Sequence, residues 1–255
     1  MSLDLWVGAA ALAALLLLEG LIPFRDQQGR LVHDLTNAGL ALVNAVLGAA
    51  MAPLLALSAV VSAEHGLGIT RLLPVPDWVA VLAALILFDL WMYLWHRANH
   101  EIPLLWRLHR VHHTDPRMDA STALRFHPGE ILISTLLNSG VILLIGLSLE
   151  TLVLYKAVMI PVILLHHSNL RLPVGLDRVL RLVIVPPSLH RVHHSEIIEE
   201  TNSNYGTVLS VWDRLFGSLR LRADIGSIRY GIGRFDEPRW QGVLGLLKLP
   251  FARAP

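Results

Sequence analysis

Long apolar stretches, separated by short polar segments, fill the first two thirds of the chain. Leu3–Ile22, Asn37–Val61 and Trp78–Trp95 are almost wholly apolar, and each is long enough to cross a bilayer as a helix. Ile131–Leu165 is too long for one crossing, and the turn-forming sequence Gly146–Glu150 divides it into two helices of about 16 residues. The pattern predicts an all-α, polytopic membrane protein with about four to five membrane-embedded helices.

The flanks of these stretches carry the signals for topology. Leu3–Ile22 lacks the basic start and small-residue cleavage site of a secretory signal, so we expect a retained transmembrane helix. Arginines cluster between the third and fourth stretches, and many more basic residues follow His167. By the positive-inside rule these regions face the cytoplasm and the N-terminus lies outside. Arg171–Pro255 is polar enough for a cytoplasmic helical cap, in which Val243–Phe251 could lie at the membrane interface.

The amino-acid composition limits the class of protein and the ligand types that a metal site could use. Apolar residues make up 54% of the 255 residues and charged residues only 16%, which excludes a disordered chain and argues against an ordinary cytosolic enzyme. A formal charge of +1 gives no reason to expect nucleic-acid binding. The chain has no cysteine but 13 histidines, most of them clustered, so a metal site would use nitrogen or oxygen ligands. We expect a single membrane domain over residues 1–255.

Three histidine boxes carry the candidate chemistry. The first is an H-x3-H sequence, and the second and third share the string His-Arg-Val-His-His; their histidines are His96 and His100, then His109, His112 and His113, then His190, His193 and His194. Positions i, i+3 and i+4 of a helix share one face, so each three-histidine box is expected to direct three imidazoles one way. Eight imidazoles suffice for two metal ions, and imidazole suits iron, zinc, copper and nickel.

The boxes also constrain the topology. They can share one metal centre only if they lie on the same side of the membrane, so an even number of crossings must separate the second box from the third. The predicted hairpin over Ile131–Leu165 supplies two crossings. Hydropathy and metal chemistry therefore agree independently.

The order of the boxes resembles the fatty acid hydroxylase/sterol desaturase superfamily of membrane di-iron oxygenases. Further strings are similar to its HPxE, H-x-N and NYG…WDxxFG elements: Phe126–Glu130, His166–Asn169, Asn204–Gly206 and Trp212–Gly217. The resemblance covers roughly residues 80–220. His100-Glu101 and Ser121–Arg125 resemble the alkylglycerol monooxygenase branch more weakly.

The resemblance implies nine metal ligands, namely the eight box histidines and His167, and no catalytic residue beyond the metal centre. His166 is an alternative to His167. His127 is either a ligand, a support for one, or a residue flanking a helix that begins near Pro128. Three further candidates, Asp89, Glu101 and Asn204, could support ligands. The alternatives are a helix-to-helix contact with Asn37 or Asn44 for Asp89 and simple exposure for Glu101, while the isolated His33 and His65 are expected on loops without a role.

The resemblance further implies two iron ions and O2, with zinc as a possible substitute in purified protein. The implied reaction is hydroxylation, or desaturation, of a lipid C–H bond in a fatty acyl chain, sterol, carotenoid or ether lipid, with electrons from a separate donor. Two alternatives remain. A zinc hydrolase would need a glutamate inside the metal motif, where Arg191 and Val192 stand. A metal transporter would place its ligands near the bilayer midplane, whereas these boxes lie at helix ends.

Overall fold

The computed structural model describes residues 3–72 and 74–252, so the ends of the predicted domain 1–255 and Leu73 lie outside the described residues. The first six helices are α1 (Leu3–Leu21), α2 (Arg30–Glu64), α3 (Asp77–Glu101), α4 (Pro103–His113), α5 (Pro128–Ile145) and α6 (Leu149–His167). All but α4 are long and apolar enough to cross a membrane. The predicted polytopic all-α fold is thereby confirmed, with five candidate spans.

Short helices build the remainder. They are α7 (Val174–Leu180), α8 (Pro187–His193), α9 (Ile198–Thr201), α10 (Val211–Leu215), α11 (Pro238–Gln241) and α12 (Val243–Lys248). Four 3₁₀ turns cover Ile69–Arg71, Ala120–Leu124, Ile225–Ser227 and Leu249–Phe251. The described part of the chain has no β-strand, only three isolated bridges, of which Pro23 with Leu170 joins the segments after α1 and α6.

The hairpin is the feature that the apolar pattern predicts best. The helices α5 and α6 have 18 and 19 residues, so each is slightly longer than predicted and rises about 27–28 Å. Gly146 ends α5 with φ +98°, and the Ser148 hydroxyl caps α6 by accepting from the Thr151 amide. A side chain at Gly68 would meet the Gly146 backbone at 2.2 Å, so only glycine allows the loop after α2 to pack on this turn.

The helix α2 begins at Arg30, seven residues before the predicted apolar stretch Asn37–Val61. Polar contacts account for the extra turns, because His33 lies 2.8 Å from a carboxylate oxygen of Asp115 and Asn37 donates to the Ser121 hydroxyl. The expectation that His33 lies on a loop is wrong. At 35 residues, α2 is about 52 Å long and extends well beyond a hydrocarbon core of about 30 Å.

Contacts between helices show which helix ends lie on the same side of the helix bundle. The helices α1 and α6 run parallel: Asp4 pairs with Lys156 at 3.2 Å near one end, and Glu19 accepts from the Asn169 amide near the other. Glu19 also accepts from the Ala120 amide in the loop after the second box. The carboxyl ends of α1, α3 and α6 and the amino ends of α2 and α5 therefore meet on one side, which carries all three boxes.

Candidate metal centre

Nine buried or half-buried histidines form two clusters on this side of the helices. Ligand-type atoms within each cluster lie within 4.8 Å of one another. The first cluster consists of His96, His100, His109, His113 and His193, and the second of His112, His167, His190 and His194. These are the nine residues that the sequence predicts as ligands, and the structure brings all nine together.

Each three-histidine box is divided between the clusters. The i, i+4 pairs stay together, with His109 and His113 in the first cluster and His190 and His194 in the second. The i+3 member, His112 or His193, belongs to the other cluster. The expectation that each box directs three imidazoles one way is therefore wrong, because the rings diverge where α4 and α8 face each other. The clusters adjoin closely, since the His113 and His194 rings stack at 4.4 Å.

Hydrogen bonds orient the rings of the first cluster. His96 Nδ1 lies 2.9 Å from the Tyr205 carbonyl, His109 Nδ1 lies 2.9 Å from Glu130 Oε1, and His193 Nδ1 lies 2.7 Å from the Ser203 carbonyl. An acceptor at Nδ1 places the proton there and leaves the Nε2 lone pair free for a metal. The Nε2 atoms of His109 and His193 are buried without a hydrogen-bond partner among the described residues. A metal ion would satisfy these atoms, so the cluster fits one.

The second cluster converges still more tightly. His167 Nε2 lies 3.0 Å from His112 Nε2 and 2.9 Å from His190 Nε2, and His194 Nε2 lies 3.2 Å from His190 Nε2. His167 is held by its Nδ1, 2.7 Å from the Ile163 carbonyl. Four imidazole nitrogens around one point form a donor set that a cation stabilises, and they suit a transition metal.

Burial also sets the protonation of five histidines in the second and third boxes. In four of them, burial lowers the pKa well below its ordinary value, and the charges of neighbouring histidines lower it further. These four are His112, His113, His190 and His194. Burial brings the pKa of His193 down to about 3. Neutral imidazole is the form that binds metal, so no proton need be displaced from these five histidines near neutral pH.

A short segment after α9 supports the first cluster. It contains the carbonyls of Ser203 and Tyr205, and between them Asn204 adopts the left-handed conformation with φ +53°. The buried Asn204 amide donates to the Leu189 carbonyl at 3.0 Å, and the Asp213 carboxylate accepts from the Tyr205 amide at 2.7 Å. Asn204 thus lies outside both clusters and positions the backbone that holds His96 and His193.

Three other candidates are members of neither cluster. His127 caps α5, with Nδ1 accepting from the Gly129 amide at 3.0 Å, which matches the helix-flanking alternative. The His166 ring stacks on His190 at 3.9 Å but belongs to neither cluster. Glu101 is exposed and pairs with Arg97 at 2.7 Å, which matches simple exposure.

Asp89 contacts no histidine among the contacts of the described residues. Its carboxylate accepts from the Tyr155 hydroxyl at 2.8 Å, the Trp212 indole at 2.7 Å and the Leu209 amide at 3.1 Å. It therefore joins α3 to α6 and to the segment around α10. The alternative of a helix-to-helix contact describes its role, although its partners are not Asn37 and Asn44.

Substitution of Asp89 by alanine is expected to lower stability and leave the metal content of the folded protein unchanged. The change leaves three donors without an acceptor, two of them buried and one half-buried, and each buried unsatisfied donor costs about 1–3 kcal/mol. Thermal unfolding and metal analysis of the purified variant check this result. Asp89→Asn is the matched control, because its amide oxygen restores one acceptor and recovers part of the stability. Loss of metal at unchanged stability would contradict the assignment.

His33 belongs to a buried polar network that the sequence does not predict. Its Nε2 lies 2.8 Å from Asp115 Oδ1, and its Nδ1 lies 3.1 Å from Asp119 Oδ2. Burial alone would raise the pKa of Asp119, but the hydrogen bond and charge of His33 outweigh it and bring that pKa to about 2. The network joins α2 to the loop that follows the second box, so His33 has a structural role.

A cavity of about 250 Å³ opens beside both clusters, between α3, α5 and α6. Its apolar wall includes Met92, Trp95, Ile131, Met159 and Ile163, and the histidines that line it are His96, His109, His112, His166, His167 and His190. This volume lies just below the usual range of about 300–1,000 Å³ for small-molecule sites. The cavity suits one end of an apolar chain.

Sequence comparisons with known proteins find a family model and several relatives. The fatty acid hydroxylase family model matches residues 81–218, more than half of the chain. Ornithine lipid hydroxylase OlsE of Rhizobium tropici is 33% identical over 174 residues, which cover 68% of this chain and 50% of that protein. Alkylglycerol monooxygenase of Danio rerio is 34% identical over 165 residues, 62% of this chain and 34% of that protein.

A more distant relative is cholesterol 25-hydroxylase of Homo sapiens, 26% identical over 142 residues, which cover 55% of this chain and 51% of that protein. The chain thus spans about a third to a half of the length of these relatives. No solved structure matches.

Proposed function

The chain belongs to the fatty acid hydroxylase family, and from this premise we propose that it is a membrane lipid hydroxylase that uses iron and O2. Desaturation of the same kind of substrate is the related outcome. The observation that carries the proposal is the pair of all-histidine clusters bordering an apolar cavity between membrane-spanning helices. The cavity brings a hydrocarbon chain to the nitrogen donors.

The nine clustered histidines would hold two iron ions, since nine imidazoles provide roughly four to five ligands for each. Iron bound there supplies the activation of O2 and the oxidation of a C–H bond. The residues of the chain orient the ligands and the substrate. Glu130 and the Ser203 and Tyr205 carbonyls orient ligand rings, and the walls from α3, α5 and α6 place the substrate and exclude water.

The names of the relatives support a lipid substrate, because they describe hydroxylation of an ornithine lipid, of cholesterol and of a fatty acid, and monooxygenation of alkylglycerol. The size of the cavity supports oxidation of one end of an apolar chain. We further propose a separate electron donor, since the sequence contains no G-x-G-x-x-G dinucleotide motif.

The two other functions fit less well. A zinc hydrolase needs a carboxylate base beside its metal, whereas Glu130 is engaged in holding His109. A metal transporter needs ligands on broken helices at the midplane, whereas the clusters lie at helix ends.

Comparative lipid profiling of cells with and without the protein tests the proposal. The expected result is a hydroxylated or desaturated lipid that appears with the wild-type protein and is missing with His113→Ala, expressed at the same level. Identical lipid profiles in cells with the wild-type protein and in cells without it would contradict the proposed function.

We place the clusters on the cytoplasmic side, because basic residues concentrate in the loops that carry the boxes. A reporter fused after Pro255 is expected to read as cytoplasmic, and one inserted near Leu147, in the turn between α5 and α6, as external. A fusion after Pro255 that reads as external would reverse the orientation. A cytoplasmic signal at Leu147 would mean that α5 and α6 only enter the membrane.

A further inference from the structure

A second and larger cavity, of about 790 Å³, lies away from the apolar cavity. Its lining comes from Phe24, from the segment 171–191 that contains α7 and the start of α8, and from residues 221–225. Ser188, Leu189 and Arg191, which flank the metal-cluster residue His190, form part of its wall.

The cavity lies where two membrane-spanning helices end. Phe24 follows the end of α1 by three residues, and Arg171 follows the end of α6 by four. Exposed apolar side chains occur in its lining and beside it in the sequence: Val174 lines the cavity and is 66% exposed, and Val179 and Leu182, each next to a lining arginine in the sequence, are 62% and 68% exposed. Apolar side chains beside arginines at a helix end are typical of the interface between lipid tails and headgroups.

The lining is strongly positive. It contains the five arginines Arg171, Arg178, Arg181, Arg191 and Arg222, against a single acidic residue, Asp177. Arg181 pairs with Asp177 at 3.3 Å, and Arg222 pairs with Glu200 at 2.7 Å. The exposed guanidinium groups of Arg171 and Arg178 make no hydrogen bond or ion pair among the described residues. The positive charge is therefore largely uncompensated.

We propose that this cavity binds the anionic, phosphate-bearing headgroup of a membrane lipid. Guanidinium groups bind phosphate oxygens in a bidentate fashion, and the apolar wall from Phe24, Leu172 and Val174 suits the adjoining glycerol and upper chain. Its position at the end of two membrane spans and its concave form favour a lipid over an acidic protein surface. The site is separate from the proposed hydroxylase reaction and does not depend on it.

Arg191 links this cavity to the fold around the boxes. It is buried, donates to the Ser168 and Leu170 carbonyls at 2.9 and 2.8 Å, and lies 3.8 Å from the centre of the Phe24 ring. A headgroup bound beside it would thus brace α8 against the ends of α1 and α6, and should raise the unfolding temperature.

The test measures lipid binding of the full chain in nanodiscs of phosphatidylcholine with increasing phosphatidylglycerol, by thermal unfolding and by native mass spectrometry of retained lipid. We expect saturable stabilisation by phosphatidylglycerol in the wild-type protein. In Arg171→Gln/Arg178→Gln the affinity should fall by about 30-fold, since each arginine near an anionic surface contributes roughly fivefold. The matched control, Arg234→Gln/Arg239→Gln, removes two exposed arginines outside the cavity and should bind as the wild-type protein does.

Two soluble probes, added to phosphatidylcholine nanodiscs, separate the other sources of negative charge. Stabilisation by glycerol phosphate without a preference for phosphatidylglycerol would overturn the lipid assignment in favour of a free phosphate compound. Binding of polyglutamate in place of phosphatidylglycerol would overturn it in favour of an acidic protein. Equal phosphatidylglycerol affinity in the two double variants would overturn the assignment of the site to this cavity. Equal unfolding temperatures of both variants and the wild-type protein in phosphatidylcholine alone verify that the variants are folded.

Discussion

His193→Ala is expected to abolish the O2-dependent oxidation of lipid and to lower the metal content from about two ions per chain. His193 comes from the third box but belongs to the cluster formed mainly by the first and second boxes. Its loss therefore removes a metal ligand. This change impairs the protein more than the cavity left by truncation of a buried side chain would. Metal analysis of the purified variant and an activity assay in membranes with an electron donor check this result. His112→Ala, His113→Ala and His194→Ala should behave alike.

His65→Ala is the control for these variants. His65 is exposed at the end of α2, on the side of the membrane opposite the clusters. Its substitution should leave metal content and activity unchanged. Full activity of His193→Ala would contradict the assignment of the clusters as a metal centre.

Glu130→Ala is expected to lower metal affinity or activity by about 10–100-fold, the usual effect of removing a carboxylate that orients a ligand imidazole. Glu130 is buried at the start of α5, and its Oε1 lies 2.9 Å from His109 Nδ1. Without this acceptor, the His109 ring loses the hydrogen bond that orients it, and its Nε2 is a weaker base. A metal titration with a competing chelator measures the loss.

Glu130→Gln is the matched variant, because its amide oxygen can still accept the hydrogen bond while its charge is removed. It should lie between the wild-type protein and Glu130→Ala. Unchanged metal affinity in both variants would show that the contact between Glu130 and His109 is only structural.

The sequence predicts the membrane-spanning helices well because their signal is local. A run of apolar residues such as Trp78–Trp95 identifies a span without knowledge of its neighbours, and Gly146 marks the turn of the hairpin. The amino end of α2 was not predicted, because its polar residues are stabilised by partners more than 80 positions away, such as Asp115 for His33.

The nine clustered histidines could be predicted from short motifs and a family resemblance, but their division could not. Whether His112 or His113 joins a given cluster depends on how α4 and α8 pack against each other, which spacing within one box does not determine. The Ser203 and Tyr205 carbonyls could not be found either, since main-chain acceptors leave no pattern of residue types. Glu130 stood in a recognisable string, but its contact with His109 joins residues 21 positions apart.

Incorporation of isotopically labelled oxygen gas into membrane lipid tests the central claim most directly. Membranes containing iron-loaded wild-type protein, supplied with reductant and an electron donor, are predicted to yield a lipid that carries one labelled oxygen atom. Membranes containing His193→Ala should yield none. Labelled lipid in equal amount from both membranes, or none from the iron-loaded wild-type protein with a substrate lipid identified by profiling, would contradict a lipid hydroxylase built on these two histidine clusters.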